Sequence, residues 1–257
     1  MIVVFVPCRL KSTRYPNKGL SDIYGITAVE RTLINAQAIK GVDKVIMATS
    51  TEAEDDPLLH CNLNGDIEVE RGSEDDVLAR IIPYIEKNKP DYIIRVTGDC
   101  SFVSAELAEL LIQSHIETGA DLTYTPSKTA LGIACEIYKA ESLLKLRTYF
   151  PETPHSEYLI YYFTNNRNLF QVNEFLAPEK FIKNWRLTFD EPNDLELFRK
   201  IYSTLDIKNR SVSFDEVIGF FGHYPEAAQI NINNIVKYRD NKNLISYLKN
   251  ATTYRGI

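Results

Sequence analysis

The sequence predicts an α/β fold, a doubly wound and mainly parallel sheet flanked by helices, with a smaller lobe in the second half. Three observations predict it. Short apolar, β-branched runs at residues 2–6, 44–49 and 91–97 lack polar alternation, as in strands covered on both faces. Amphipathic helical stretches separate these runs, so strand and helix alternate as in βαβ units. The chain has 257 residues, 44% apolar and 25% charged, which suffices for a full core.

In order, residues 2–6 form the first strand. Residues 28–39 form a helix with Val29, Leu33, Ala36 and Ile39 on one stripe. Residues 44–49 are the second strand. The next helix, 75–87, turns Val77, Leu78, Ile81, Ile82 and Ile85 inward, although Pro83 disturbs its regularity. A strand at 91–97, a helix at 105–117 around Leu107, Leu110 and Leu111, and a short strand at 122–125 complete the regular half. The second half predicts strands at 133–138, 169–174 and 186–189 and a helix at 156–163. A last helix at 193–205 carries Leu195, Phe198, Ile201, Tyr202 and Leu205 inward. No Gly/Ser linker divides the chain, so residues 1–257 read as one domain.

Composition excludes several classes. A net charge of −6 gives no overall positive field toward nucleic acid or an anionic membrane. The apolar N-terminal run ends at Pro7, Cys8 and Arg9, too short for a signal-peptide core, and no stretch reaches the length of a membrane span. A cytoplasmic protein is expected. Cys8, Cys61, Cys100 and Cys135 form no CxxC pair, so reduced, partly buried thiols are expected.

Three segments carry candidate chemistry. The loop after the first strand holds Arg9, Lys11, Arg14 and Lys18 with the hydroxyls of Ser12 and Thr13, and no acid before Asp22. Ligands of parallel sheets bind beyond the carboxyl ends of strands, and a triphosphate needs converging cations and hydroxyl or backbone donors. The loop is neither a P-loop nor a GxGxxG turn; a solvated basic loop is the alternative. Second, Asp99 and Asp190 each follow a predicted strand. Two such carboxylates suit a hard cation such as Mg²⁺, although Asp190 also suits the start of the next helix and Asp99 the cap of the helix near Ser104. Third, in Arg71-Gly72-Ser73-Glu74-Asp75-Asp76, Ser73 reads as an N-cap. Capping leaves Arg71 and Gly72 unexplained, and Gly72 would let a ligand approach the backbone. Thr49, Ser50 and Thr51 before the acids at 52–56 read as another capped helix start. None of His60, His115, His155 and His223 stands in these segments, and surface or satisfied core roles are expected.

Together these segments resemble the cytidylyltransferases of the SpsF type (spore coat polysaccharide biosynthesis), related to the CMP-sialic acid and CMP-Kdo synthetases. The likeness lies in Pro7-x-Arg9-x-x-Ser12-Thr13-Arg14-x-Pro16-x-Lys18-x-Leu20, in Ala48-Thr49-Ser50-Thr51-Glu52, and in Arg71-Gly72-Ser73 through Arg80. It continues in Arg95-Val96-Thr97-Gly98-Asp99-Cys100 and in Arg186-Leu187-Thr188-x-Asp190 with Pro192, Asp194 and Glu196. The segments occur in family order over most of the chain. Cys8, Asn17 and Ser101 stand where Ala, Gly and Pro are usual. Ser156 and Tyr158 replace the Arg and His of an acceptor-side Arg-Glu-His patch.

The resemblance implies a nucleotide-diphospho-sugar transferase-like, Rossmann-like fold. Its nucleotide part would lie at about 1–125 and its acceptor or dimer part at about 126–257. It implies transfer of CMP from CTP to a small acceptor (sugar acid, sugar phosphate or similar), release of pyrophosphate, and Mg²⁺ as cofactor. Catalysis would rest on Arg14, Lys18, Asp99 and Asp190, the last two holding the metal. Pro7, Arg9, Ser12, Thr49, Ser50, Arg71, Gly72, Ser73 and Thr97 would contact the nucleotide. Gly132, Glu136 and Glu157 would face the acceptor. The related synthetases suggest a homodimer. Two rivals differ in class: a nucleotide-sugar-dependent glycosyltransferase, disfavoured by the lack of an Asp-x-Asp pair at a strand end, and a nucleotide-binding module without activity.

Overall fold

The computed structural model describes residues 1–236 and 241–256. Seven strands form one sheet: β1 (Ile2–Pro7), β4 (Lys44–Ser50), β5 (Glu68–Gly72), β6 (Tyr92–Arg95), β7 (Leu122–Tyr124), β8 (Glu136–Lys139) and β9 (Val172–Glu174). Their order is β5-β4-β1-β6-β8-β7-β9, and a separate hairpin pairs β2 (Asp22–Ile23) with β3 (Ile26–Thr27). β1 is parallel to β4 and β6, and β4 to β5; β8 alone runs antiparallel to both neighbours. After β5 the chain crosses β1 to lay down β6 on its other side. That reversal opens a crevice at the carboxyl ends of β1 and β6, where doubly wound sheets bind ligands.

Alternate residues of each strand point to opposite faces, and both faces are covered. Val4, Val6, Met47 and Ile94 face a core shared with α1 (Ala28–Gln37), α3 (Ala105–Thr118), α6 (Pro192–Thr204) and α7 (Phe214–His223). Val3, Phe5, Ile46 and Ile93 face a second core under α2 (Val77–Asn88), α4 (Ala140–Tyr149) and α5 (Ile160–Thr164). The continuous apolar runs follow from this two-sided burial. All four cysteines are free and buried, as expected. Among the described residues, no helix is long and apolar enough to cross a membrane.

Several boundaries differ from those the pattern predicts. α2 starts at Val77 because Asp76, not Ser73, is its N-cap: the Asp76 carboxylate accepts from Ala79 N, while Ser73 Oγ accepts from Asp76 N at 3.1 Å. The predicted helix at 156–163 is a 3₁₀ turn, Ser156–Tyr158, followed by the short α5. β9 begins only at Val172, since Leu169 and Phe170 turn back onto the Asn166 carbonyl. β8 covers Glu136–Lys139, its approach fixed by Ser104 N on Ile133 O. Residues 186–189 are not a strand; Leu131 and Arg186 make a single parallel bridge. Leu187 N then bonds Leu131 O at 2.7 Å and Phe189 N bonds Asp99 O at 3.0 Å. The segment leaves the sheet direction and delivers Asp190 to Asp99.

Candidate active site

The crevice is organised around one ammonium group. Lys18 Nζ donates to Asp99 Oδ2, Asp190 Oδ1 and the Phe189 carbonyl, each at 2.8 Å. Arg14 Nη2 lies 2.7 Å from the same Asp190 Oδ1. The basic loop after β1, the turn after β6 and the segment before α6 therefore meet at one point. Asn17 lets the loop reach it: its φ of 58° is left-handed, a conformation free to glycine and tolerated by asparagine, so the departure from Gly preserves the turn.

Asp190 is aimed by a buried network. Its Oδ2 accepts from Arg186 Nη2 at 2.9 Å, and Arg186 Nε is held by Asp194 Oδ1 at 2.9 Å. Asp194 Oδ2 accepts the backbone N–H groups of Asp190 and Glu191 at 2.8 and 2.9 Å. Asp194 thus does the capping work considered for Asp190, which is left facing the crevice. Ser104 caps α3 itself, so Asp99 is free of that role as well. Burial opposes ionisation of Asp99, but the adjacent Lys18 ammonium outweighs it and holds the carboxyl well below the usual range. Lys18 responds in kind: burial pulls its pKa down and the two carboxylates raise it further. Burial pushes the thiol pKa of Cys8 up to about 12 and that of Cys100 upward too, so neither is a thiolate nucleophile at neutral pH.

The other predicted residues fall in two groups around this centre. Pro7 ends β1, its carbonyl accepting from Gly98 N at 3.1 Å, and Ser12 Oγ accepts from Tyr15 N at 3.3 Å. Thr97 Oγ1 contacts Cys100 Sγ at 3.0 Å. Arg9 donates to Glu74 O at 2.9 Å, with Asp75 at 3.6 Å and Glu157 at 3.8 Å. Arg71 clamps the turn after β4 through Ser50 O at 2.8 Å, Glu52 O at 3.1 Å and Asp56 at 2.7 Å. Thr49 and Ser50 are buried; Thr49 Oγ1 has no partner among the described residues, and Ser50 Oγ is bonded to Asp55.

At Gly72 the structure shows a second reason for glycine. A Cβ there would lie 3.0 Å from Arg80 Cγ and 3.3 Å from Arg80 Cα, so the missing side chain admits helix α2.

At the residues expected to face the acceptor, Arg95 Nη1 bonds Glu136 at 3.2 Å and its Nη2 bonds Glu157 O at 2.7 Å. Tyr138 OH adds a 2.6 Å bond to the same Glu136 oxygen. Glu136 and Glu157 thereby stand at the carboxyl end of β6, beside Arg9. Gly132 has no side chain to offer and lies under the Leu187 backbone. Of the histidines, His60 and His223 are exposed, His155 Nε2 meets Tyr247 OH at 3.1 Å, and His115 is buried on Thr123.

A cytidylyltransferase family model matches residues 3–250. The chain is 35% identical over 235 residues to the spore coat polysaccharide biosynthesis protein SpsF of Bacillus subtilis (strain 168), covering 88% of this chain and 96% of that one. It belongs to the cytidylyltransferase family. In structure it resembles a cytidylyltransferase from Leptospira borgpetersenii, with TM-score 0.78, 22% identity and coverage of 91% and 97%. It also resembles a CMP:2-keto-3-deoxy-manno-octonic acid synthetase solved with CTP, with TM-score 0.59, 18% identity and coverage of 79% and 98%. The nucleotide-sugar-transferase-like fold and the nucleotidyltransferase class are those that the motifs imply.

In this cytidylyltransferase, two residues that stand in the motifs were given no role by the sequence reading. Asp55 is buried, accepts Leu10 N at 2.6 Å, and anchors the basic loop from a segment read as helix capping. The helix start expected there is instead the 3₁₀ segment Ala53–His60, without a side-chain cap. Arg80 is buried on the inward face of α2. Its advance signals were its place at the end of the motif that begins at Arg71 and a charge standing among Val77, Ile81 and Tyr84.

Proposed function

We propose that the protein transfers CMP from CTP to a small acceptor with release of pyrophosphate. The acceptor would be a sugar acid, a sugar phosphate or a similar metabolite for surface-glycan synthesis, and the reaction would run in the cytoplasm. The observation that carries this reading is the meeting of Arg14, Lys18, Asp99 and Asp190 at the switch point of the sheet. The triphosphate would exchange with the carboxylates now paired to Arg14 and Lys18, which would then hold the β and γ phosphates as they leave. Arg9 and Ser12 would fix the rest of the chain of phosphates, and Arg71 and Ser73 would flank the nucleoside.

The donor set suits Mg²⁺. Asp99 Oδ2, Asp190 Oδ1 and the Phe189 carbonyl converge on the Lys18 ammonium, each at 2.8 Å, and all three are oxygens, as hard cations prefer; Mg²⁺ would be held by the two carboxylates once Lys18 turns to phosphate. Among the described residues no group of three or more acidic, His or Cys side chains could hold a metal, so substrate oxygens and water would complete the shell. Mg²⁺ there would supply charge neutralisation at the phosphates.

An acceptor oxygen would attack the α-phosphorus as the bond to pyrophosphate breaks in line with it. The protein's part is to position and neutralise. An acceptor oxygen that is already anionic requires no strong base, and no histidine stands at the centre. Glu136 and Glu157 would orient the acceptor, and a homodimer is expected by analogy with the related synthetases. The test is pyrophosphate release with Mg²⁺, each of the four nucleoside triphosphates and a panel of sugar acids and phosphorylated metabolites. Release with CTP and one acceptor is expected. Neither release nor nucleotide binding by calorimetry would sink the reading.

A further inference from the structure

Arg80 is 3% exposed, yet among the described residues no carboxylate pairs with it. Its one hydrogen bond to a described residue runs from Nη1 to Ala48 O at 3.0 Å. Nε is buried without a partner; Nη2 makes no hydrogen bond to a described residue but is not among the buried unpartnered atoms, so this edge of the guanidinium reaches the protein surface. Burial, reinforced by nearby Arg9, pulls its pKa down to about 10, which still leaves a full charge at neutral pH. A buried guanidinium with most donors unused is costly, and buried polar groups of this kind ordinarily have partners. Gly72 nevertheless gives up its side chain so that Arg80 can pack at this spot. Arg95, 7% exposed, also leaves its Nε without a partner, but it has a carboxylate: its Nη1 bonds Glu136 and its Nη2 the Glu157 carbonyl, and Arg80 differs in having no such anion among the described residues.

The position of the unused donors is informative. Ala48 O, which holds Nη1, also accepts Cys8 N at 3.0 Å, so the guanidinium lies across the carboxyl ends of β1 and β4. Lys18, Asp99 and Asp190 lie on the other flank of β1, toward β6. A nucleotide whose phosphates sit at Lys18 would extend its base toward β4. The Nε and Nη2 N–H bonds of a guanidinium form a parallel fork that matches two adjacent acceptors. Cytosine presents such a pair in O2 and N3; uracil replaces the N3 acceptor with an N–H donor.

We propose that Arg80 is the base-reading residue of this site, its free Nε/Nη2 edge donating to O2 and N3 of cytosine and discriminating against uracil. The inference rests on the nucleotidyltransferase reading above and adds the determinant of its base specificity.

The experiment is calorimetric binding of CTP, UTP, 3-deaza-CTP (N3 replaced by C–H) and pyrophosphate to the wild type, Arg80→Lys and Arg80→Met. The wild type is expected to prefer CTP to UTP and to 3-deaza-CTP by about 10-fold or more. Arg80→Met should erase that preference by weakening CTP about 10- to 100-fold, with UTP and pyrophosphate changed less than about threefold. Arg80→Lys keeps the charge without the fork and should recover little of the preference. If neither variant folds, the wild-type comparison of CTP with 3-deaza-CTP decides, and equal affinities overturn the proposal. Parallel losses of CTP and pyrophosphate would make Arg80 a phosphate contact and overturn it as well. A CTP preference intact in Arg80→Met overturns this inference alone, whereas a wild type that binds no nucleotide overturns the underlying reading with it.

Discussion

Replacing Lys18 by methionine tests the centre of the site. The change removes three 2.8 Å contacts at once, to Asp99, Asp190 and the Phe189 carbonyl. Hydrogen bonds to charged groups contribute about 1.5–3 kcal/mol each, but such values do not add within one network. Asp190 keeps Arg14 at 2.7 Å and Arg186 at 2.9 Å. The loss therefore concentrates on Asp99, which would keep no cation among the described residues and only the weaker support of Thr97, its own backbone N–H and the Cys100 thiol at 3.7 Å. Removing one partner of a buried ion pair costs about 3–5 kcal/mol, and the partial exposure of Asp99 places this case near about 3.

The assay is urea unfolding of Lys18→Met and wild type in EDTA and in Mg²⁺. In EDTA the variant should lose about 3 kcal/mol. A divalent ion no longer competes with the ammonium, so Mg²⁺ should stabilise the variant more than the wild type through linkage. The pH dependence has a definite sign. A carboxyl held low in the folded state contributes stability above its unfolded pKa of about 3.9, and that contribution fades as pH falls through the folded value. The variant lacks it, so the gap between the two proteins should narrow on acidification below about pH 4. Equal stability in EDTA, or an equal response to Mg²⁺, would refute the reasoning.

Three further outcomes are expected. Asp99→Asn keeps a hydrogen-bond acceptor for Lys18 but loses the charge; turnover should fall about 10³-fold with an unchanged circular dichroism spectrum, and near-normal kcat would remove Asp99 from the catalytic centre. Gly132→Ala puts a Cβ 2.4 Å from Leu187 O at a φ of +94°, which backbone displacement must relieve. A loss of about 3 kcal/mol, read as a fall in Tm of about 10 °C, is expected, and an unchanged Tm would contradict it. Burial lowers the pKa of His115 to about 4 from 6.5, so the folded state resists the proton that the unfolded chain accepts. Stability should be complete above about pH 6.5 and fall by up to about 3 kcal/mol toward pH 4; His115→Gln should flatten that profile, and an equally steep decline in the variant would exclude His115 as its cause.

The parallel core was legible because burial on both faces writes itself into sequence as unbroken apolar runs, and Val3 and Val4 serve opposite cores. The second half was less legible. Residues 186–189 have strand composition, but what decides their path is two backbone bonds, to Leu131 and to Asp99, and backbone bonds leave no residue signature. The cations and carboxylates of the centre, Asp190 among them, could be named from the motif, but the network that aims Asp190 could not. Arg186 bonds both Asp190 and Asp194, and Asn231, distant in sequence, adds a bond to Asp194 alone. The packing of Arg80 against Gly72 could not be read, because a glycine signals close approach without saying of what.

The same network explains how an acidic protein keeps a strongly basic loop folded without a ligand. Arg9 and Lys11 rest on Glu74, Arg14 on Asp190, and Lys18 on Asp99 and Asp190. On the proposed reading these are the cations that a triphosphate claims, so binding exchanges carboxylate partners for phosphate oxygens instead of capturing free charge. Such an exchange gains little from Coulomb attraction alone, because each cation already has an anion. It gains where the released carboxylates find a new cation, and Asp99 and Asp190 are released together. Nucleotide and divalent ion should therefore each strengthen the binding of the other, since Lys18 cannot serve phosphate and carboxylates at once. Arg80 stands outside that exchange: among the described residues it has no carboxylate to surrender, and on the proposed reading the partner of its Nε/Nη2 edge would come from the ligand.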